Sequence, residues 1–208
     1  MIKVSRGGPD RIQKYFFVCA KEAERNTSIM LRSGRLENMT GRLSLLGIAL
    51  LLVAGSANAQ IEKEIAAIRA DVNLIDKNAA KYEKKTKNFD GLSLEGSQAT
   101  YFTSGRGLKK IVAKMYGETY RSTAELYYSG EELIFIFQRL ERYDTQVGMD
   151  PPPKVARIEE TRLYRSGGKT IRILSGKTRL KPGDIKFTEA EYQLYELSDE
   201  LKGRLDRG

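Results

Sequence analysis

Histidine is absent from all 208 residues and cysteine occurs once, at Cys19. Imidazole acid–base chemistry is therefore excluded, and one thiol makes neither an intramolecular disulfide nor a zinc cluster. Ser, Lys, Tyr and carboxylates remain as reactive groups. Ser175-Gly176-Lys177 puts a hydroxyl and an amine two positions apart, which on a strand gives only a shared face, and a loop suits the tripeptide better. Glu159 and Glu160 are adjacent; on a strand they point to opposite faces and cannot share a proton. Glu189 and Glu191, two apart on a helix, do not face one another. The chain contains no Asp-x-Asp-x-Asp calcium loop. Gly105-Arg106-Gly107 lacks the helix N-terminus that a phosphate cradle needs. No catalytic, cofactor-binding or metal-ligating residue is expected, and no cofactor.

Tyrosine and arginine are the residue types left to carry recognition. Tyr116, Tyr120, Tyr127, Tyr128, Phe135, Phe137 and Tyr143 form the densest aromatic stretch, and aromatics at strand spacing mostly fill a core. Tyr127 and Tyr128 must point to opposite faces, so a sheet covered on one face only leaves one ring open. Joined with Arg121, Arg139 and Arg142, the tyrosines at 116, 120, 127 and 128 make a candidate interaction surface, because Tyr and Arg dominate binding hot spots.

The elements that would present these residues follow from periodicity. Apolar or small residues at 61, 65, 68, 72, 75, 79 and 82 alternate spacings of four and three, which predicts one helix ending near Asn88-Phe89-Asp90-Gly91. Such a helix either lies on its own sheet or pairs with a second copy through residues 60–88. Three phrases then repeat an aromatic, a Ser-Gly turn and an aliphatic restart: Tyr101 to Ile111, Tyr127 to Phe135, and Tyr164 to Ile173. Glycine supplies the positive φ of a tight turn, so each phrase is read as a β-hairpin. Joined, they predict six strands, at 96–103, 108–116, 121–128, 132–143, 155–165 and 169–175, in an antiparallel meander. Leu133-Ile134-Phe135-Ile136-Phe137 is apolar on both faces, which requires a central position or two covers. Thr188 and Glu191 have capping-box spacing and open a C-terminal helix. The expected fold is α+β: a six-stranded antiparallel meander flanked by an N-terminal and a C-terminal helix, an arrangement in which both helices could cover one face.

The hairpin phrases resemble the short repeats of MORN-type bacterial hairpin proteins. Leu108 through Ile111, Tyr116-Gly117-Glu118, Glu125-Leu126-Tyr127-Tyr128 and Leu133 to Phe137 are similar to stretches of uncharacterised exported bacterial proteins. What the resemblance implies is structural, turn glycines and core aromatics, and it implies no activity.

The N-terminal third reads as an address. Arg42, an apolar run from Leu43 to Val53 and Ala57-Asn58-Ala59 have the order of a secretory signal peptide, which predicts residues 39–59 as the signal and cleavage after Ala59. The run is too short for the about 20 apolar residues of a membrane anchor. Residues 1–38 are read as upstream sequence ahead of a start at Met39. Of 36 basic and 27 acidic residues, nine and four lie before Gln60, so the net charge falls from +9 to +4 in a single expected domain, 60–208. A mixed surface on an exported chain argues against nucleic acid. Cys19 leaves with the leader, which suits a periplasmic or extracellular bacterial protein without disulfides. The expected function is a non-enzymatic binding module for an envelope protein or ligand. The alternatives are a carboxylate- or Tyr-based envelope enzyme and a structural protein that self-assembles through 60–88.

Overall fold

Each Ser-Gly phrase closes a hairpin with a loop of only two residues, 105–106, 130–131 and 167–168. Gly130 has φ +61°, and Gly167 and Gly168 have φ +54° and +74°, the left-handed values that tight hairpins of right-twisted strands demand. In an antiparallel meander alternate turns share an end, so these loops line one edge of the sheet, its Ser-Gly end. Each hairpin also carries a β-bulge at the same place, between Phe102 and Thr103, Tyr127 and Tyr128, and Tyr164 and Arg165. The unpaired residue is on the returning strand, at Lys109, Ile134 and Ile171. The sequence repeat is thus a structural repeat.

The computed structural model describes residues 46–105 and 107–206, with 46–57 and 206 as backbone only. The expected start at Met39 and the leader 1–38 lie outside the described residues, and the apolar run of the signal is described only from Leu46. The chain divides into two compact units, 1–60 and 61–208, and the second contains the whole sheet and its core. The order is helix α1 (Leu46–Lys77), a 3-10 turn (Ala79–Lys81), strands β1 (Glu83–Phe89), β2 (Ser97–Ser104), β3 (Gly107–Gly117), β4 (Tyr120–Ser129), β5 (Glu132–Tyr143), β6 (Val155–Ser166), β7 (Lys169–Ser175) and β8 (Thr178–Arg179), then helix α2 (Ile185–Asp206). The fold is α+β with one open antiparallel sheet, and all six expected strands are present.

The sheet has eight strands rather than six, in sequence order β1 to β8. Both additions are at the edges. The expected first helix stops ten residues early, where the Asn78 side-chain amide donates to the Leu74 carbonyl at 2.9 Å, and 83–89 becomes β1. At the other edge Ser175-Gly176 is a fourth Ser-Gly turn, with Gly176 at φ +58°, and it closes β8. The C-terminal helix begins three residues before Thr188. The capping box does not form there, since the Thr188 hydroxyl donates back to the Asp184 carbonyl at 3.3 Å.

The helices cover opposite faces, not one. One face carries Tyr101, Ile111, Leu126, Ile136, Leu163 and Ile173 in a single cross-strand row, packed with Phe187, Leu194 and Leu201 of α2. On the other, Ile65, Ile68, Val72 and Ile75 of α1 pack on Tyr127, Ile134, Phe135, Tyr164, Ile171 and Leu174. The bulges help here, because Ile134 and Ile171 join Phe135 and Tyr164 on the α1 side. That is why the Leu133–Phe137 run is apolar on both faces: β5 lies in mid-sheet beneath both helices. The stripe that a dimer helix would offer is therefore seated on the chain's own sheet.

Candidate functional site

A single row of side chains crosses the α1 face: Lys84, Phe102, Lys110, Tyr127, Phe135, Tyr164 and Arg172. Cations and rings meet along it. The Lys110 ammonium sits 4.6 Å from the Tyr127 ring centre, and the Phe135 ring is 5.7 Å from Tyr127 and 4.8 Å from Tyr164, spacings at which such contacts each add about 0.5–1.5 kcal/mol. Helix α1 lies along this row and is pinned to it at two points, mid-helix and near its C-terminal end. Glu62 pairs with Arg172 of β7 at 2.5 Å, and Asp76 pairs with Lys110 of β3 at 2.8 Å.

Lys110 also donates to Glu125 at 2.7 Å and to the Tyr127 hydroxyl at 2.8 Å, and Tyr127 donates to Glu125 at 2.6 Å. A lysine, a tyrosine and two carboxylates thus converge, as the carboxylate- or Tyr-enzyme alternative requires. The phenol and the Glu125 carboxyl have their proton affinities pushed away from neutrality. Burial first, then the Glu125 and Asp76 carboxylates, push the Tyr127 phenol up far beyond its ordinary range. Burial would raise the Glu125 carboxyl, but hydrogen bonds from Lys110 and Tyr127 and the Lys110 charge bring it below its ordinary range. A phenol raised and a carboxyl lowered in this way are both shifted away from the near-neutral range that general acid–base catalysis uses, and their hydrogen bonds tie β3 to β4.

Beyond the helix no described residue covers the same face, and here three of the expected surface residues come together. Its outermost row is Tyr116, Arg121, Glu141 and Ile158, and the next includes Lys114, Thr123, Arg139 and Glu160. Tyr116, Arg121 and Arg139 therefore share an open patch. The structure adds residues that the sequence reading missed: Arg121 and Arg139 bind Glu141 at 2.5 and 3.0 Å, Arg139 approaches Glu160 at 3.7 Å, Arg162 binds Glu160 at 2.7 Å, and the Arg162 guanidinium lies 5.0 Å from the Phe137 ring centre. The result is a diagonal ladder over β4, β5 and β6. Glu141 is 12 % exposed, whereas Arg121 and Arg139 are 48 % and 42 % exposed, so guanidiniums form the outer layer. The Arg121 hydrogen bond, followed by that of Arg139, lowers the Glu141 pKa below its ordinary value, which favours its ionised form. Alternation of Glu160 and Arg162, two apart on one strand, was the legible signal.

The other four expected residues are elsewhere. Tyr127 and Tyr128 do point to opposite faces, but both are buried, 3 % and 2 % exposed, because each face has its own helix; neither belongs to an exposed surface. Tyr128 shares a 3.1 Å bond with Ser198 of α2. Tyr120 and Arg142 oppose one another on the α2 face, away from the ladder. Arg142 binds Glu159 at 2.9 Å, while Glu160 serves the opposite face as the strand alternation requires.

Two shallow cavities flank the helices. One of about 200 Å³ is lined by Arg69, Val72, Asn73, Phe135 and Tyr164; another of about 270 Å³ lies between the 130–131 turn and α2, with Tyr128, Arg165, Tyr195 and Lys202 among its walls. Neither includes Lys110. Among the described residues no cluster of three or more His, Cys, Asp or Glu is placed to hold a metal, and no helix is long and apolar enough to cross a membrane. Comparison with protein-family models, curated proteins and solved structures finds no match to this chain.

Proposed function

We propose that the chain is an exported, non-enzymatic interaction module that binds a protein partner through the half of the α1 face that α1 leaves open. The observation that carries this reading is the juxtaposition of Tyr116, Arg121, Arg139 and Arg162 on one patch that no described residue covers. Arginine and aromatic side chains supply most of the energy of protein contacts, and sheet pairing holds these in place before a partner arrives, which lowers the cost of binding.

Export is supported by two features. The boundary between compact units falls between Gln60 and Ile61, one residue from the expected cleavage after Ala59. A chain beginning at Gln60 has Glu62 and Glu64 close to its N-terminus, where the helix dipole favours acids. Amine-directed cross-linking in intact host cells, read by mass spectrometry, is expected to return a partner joined through Lys114 and a mature N-terminus at Gln60. A protein that yields no adduct through Lys114 counts against the binding reading, and a mature N-terminus before Met39 counts against the leader.

A further inference from the structure

Three guanidiniums of the open face share two carboxylates. Glu141 bridges Arg121 and Arg139, and Glu160 bridges Arg139 and Arg162, so both ends of the ladder are cationic and it is one carboxylate short of balance. The far end of the opposite face repeats the arrangement, with Arg142 and Arg157 sharing Glu159 at 2.9 and 3.3 Å. Resting on the proposed binding function, we infer that the partner is an extended acidic protein segment whose Asp or Glu side chains complete this ladder.

Geometry favours an extended segment. Arg121, Arg139 and Arg162 step across neighbouring strands and one row at a time, so the Cα atoms of successive arginines are about 8 Å apart for strands about 4.8 Å apart and two-residue rows. Alternate side chains of an extended peptide recur at about 7 Å, close enough for long arginines to reach successive carboxylates two residues apart. A guanidinium offers five donors in a planar fork, so an arginine already holding one carboxylate can take part of another. The ends of the outer row favour protein over a bare polyanion. Tyr116 and Ile158 flank Arg121 and Glu141 and are 39 % and 48 % exposed, which gives apolar side chains on either side of the partner's acids somewhere to pack.

The test places a photoreactive p-benzoylphenylalanine at Thr123, which lies opposite Arg139 on the open face, and maps its adducts by mass spectrometry in intact host cells carrying the full chain. The expected adduct is a protein segment with Asp or Glu at alternate positions. Arg139→Glu is expected to cut its yield about tenfold. Glu160→Gln removes a competing carboxylate and is expected to raise the yield about threefold; a ladder needed only for folding would lower it in both variants. An adduct on a segment without carboxylates, on a glycan or on a lipid, or a yield indifferent to Arg139→Glu, overturns the acidic partner while leaving the binding patch standing. Absence of any adduct from Thr123 overturns the binding reading itself.

Discussion

Tyr101 donates its hydroxyl to the Leu201 carbonyl at 2.9 Å, and Tyr128 bonds Ser198 at 3.1 Å. Burial pushes both phenols up to about 12, against about 10 in an unfolded chain. A folded-state pKa above the unfolded one means that the native protein keeps a proton the unfolded chain has lost. The corresponding stability is fully present below pH about 10 and falls away as pH rises from there to about 12. Alkaline titration followed by phenolate absorbance is expected to show exposed tyrosines ionising first and a late group accompanied by unfolding; ionisation of all tyrosines in one step near the ordinary value would refute it. Tyr101→Phe removes one buried bond and should cost about 1 kcal/mol in urea denaturation. Gly117 is constrained by a neighbour rather than by its backbone, because the Tyr120 ring lies where a Cβ would stand. Gly117→Ala must push that half-buried ring aside and is expected to lose about 1–3 kcal/mol, with Gly117→Ala/Tyr120→Ala losing less than the sum of the two single changes.

The elements that pattern alone revealed are those with a buried side. The three Ser-Gly hairpins and the Leu133–Phe137 run were legible because turn chemistry and apolar alternation coincide there. Strand β1 was not, since Glu83-Lys84-Lys85-Thr86-Lys87 is exposed along most of its length and shows no apolar alternation, while Ala79 and Tyr82 continue the period of α1. Its lysines have a different role at a sheet edge, where charge discourages pairing with another chain. Lys87 in addition donates to the Arg204 carbonyl at 2.7 Å, capping the end of α2. Replacing Lys84 and Lys85 together by Val is expected to leave secondary structure intact and to produce concentration-dependent light scattering; a monodisperse double variant at high concentration would contradict the edge argument. The placement of the helices was also hidden. Each helix shows an apolar stripe, but nothing in a stripe says which face it meets; the bulges at Ile134 and Ile171 decide it, because each adds an apolar side chain to the α1 side.

At the scale of the whole molecule the sheet is divided along its length. Near the Ser-Gly end both faces are covered, α1 crossing from Arg172 to Lys110 on one and α2 from Thr170 to Lys87 on the other. Toward the far end no described residue covers the α1 face, and the candidate surface is there. Sequence located Tyr116, Arg121 and Arg139 on that patch, but it could not separate them from Tyr120 and Arg142, because strand alternation fixes relative faces only once register is known. Glu141 and Arg162 were missed for the same reason: they become ladder partners through cross-strand registry. Among the described residues the apolar contacts on both faces involve residues from Ile61 onward, which yields a prediction about the full chain. A protein beginning at Gln60 keeps Glu62 on Arg172 and the stripe from Ile65 to Ile75, and has acids close to its N-terminus, suited to the dipole. Its thermal midpoint is expected to match that of the full chain to within about 4 °C, equivalent to about 1 kcal/mol for a domain of this size. A larger fall would mean that residues before Gln60 stabilise the fold, which is incompatible with their removal on export. Ile65→Ala in that shortened protein should cost about 2–4 kcal/mol whatever the protein concentration. A cost that changed with concentration would show that α1 packs between copies rather than on its own sheet.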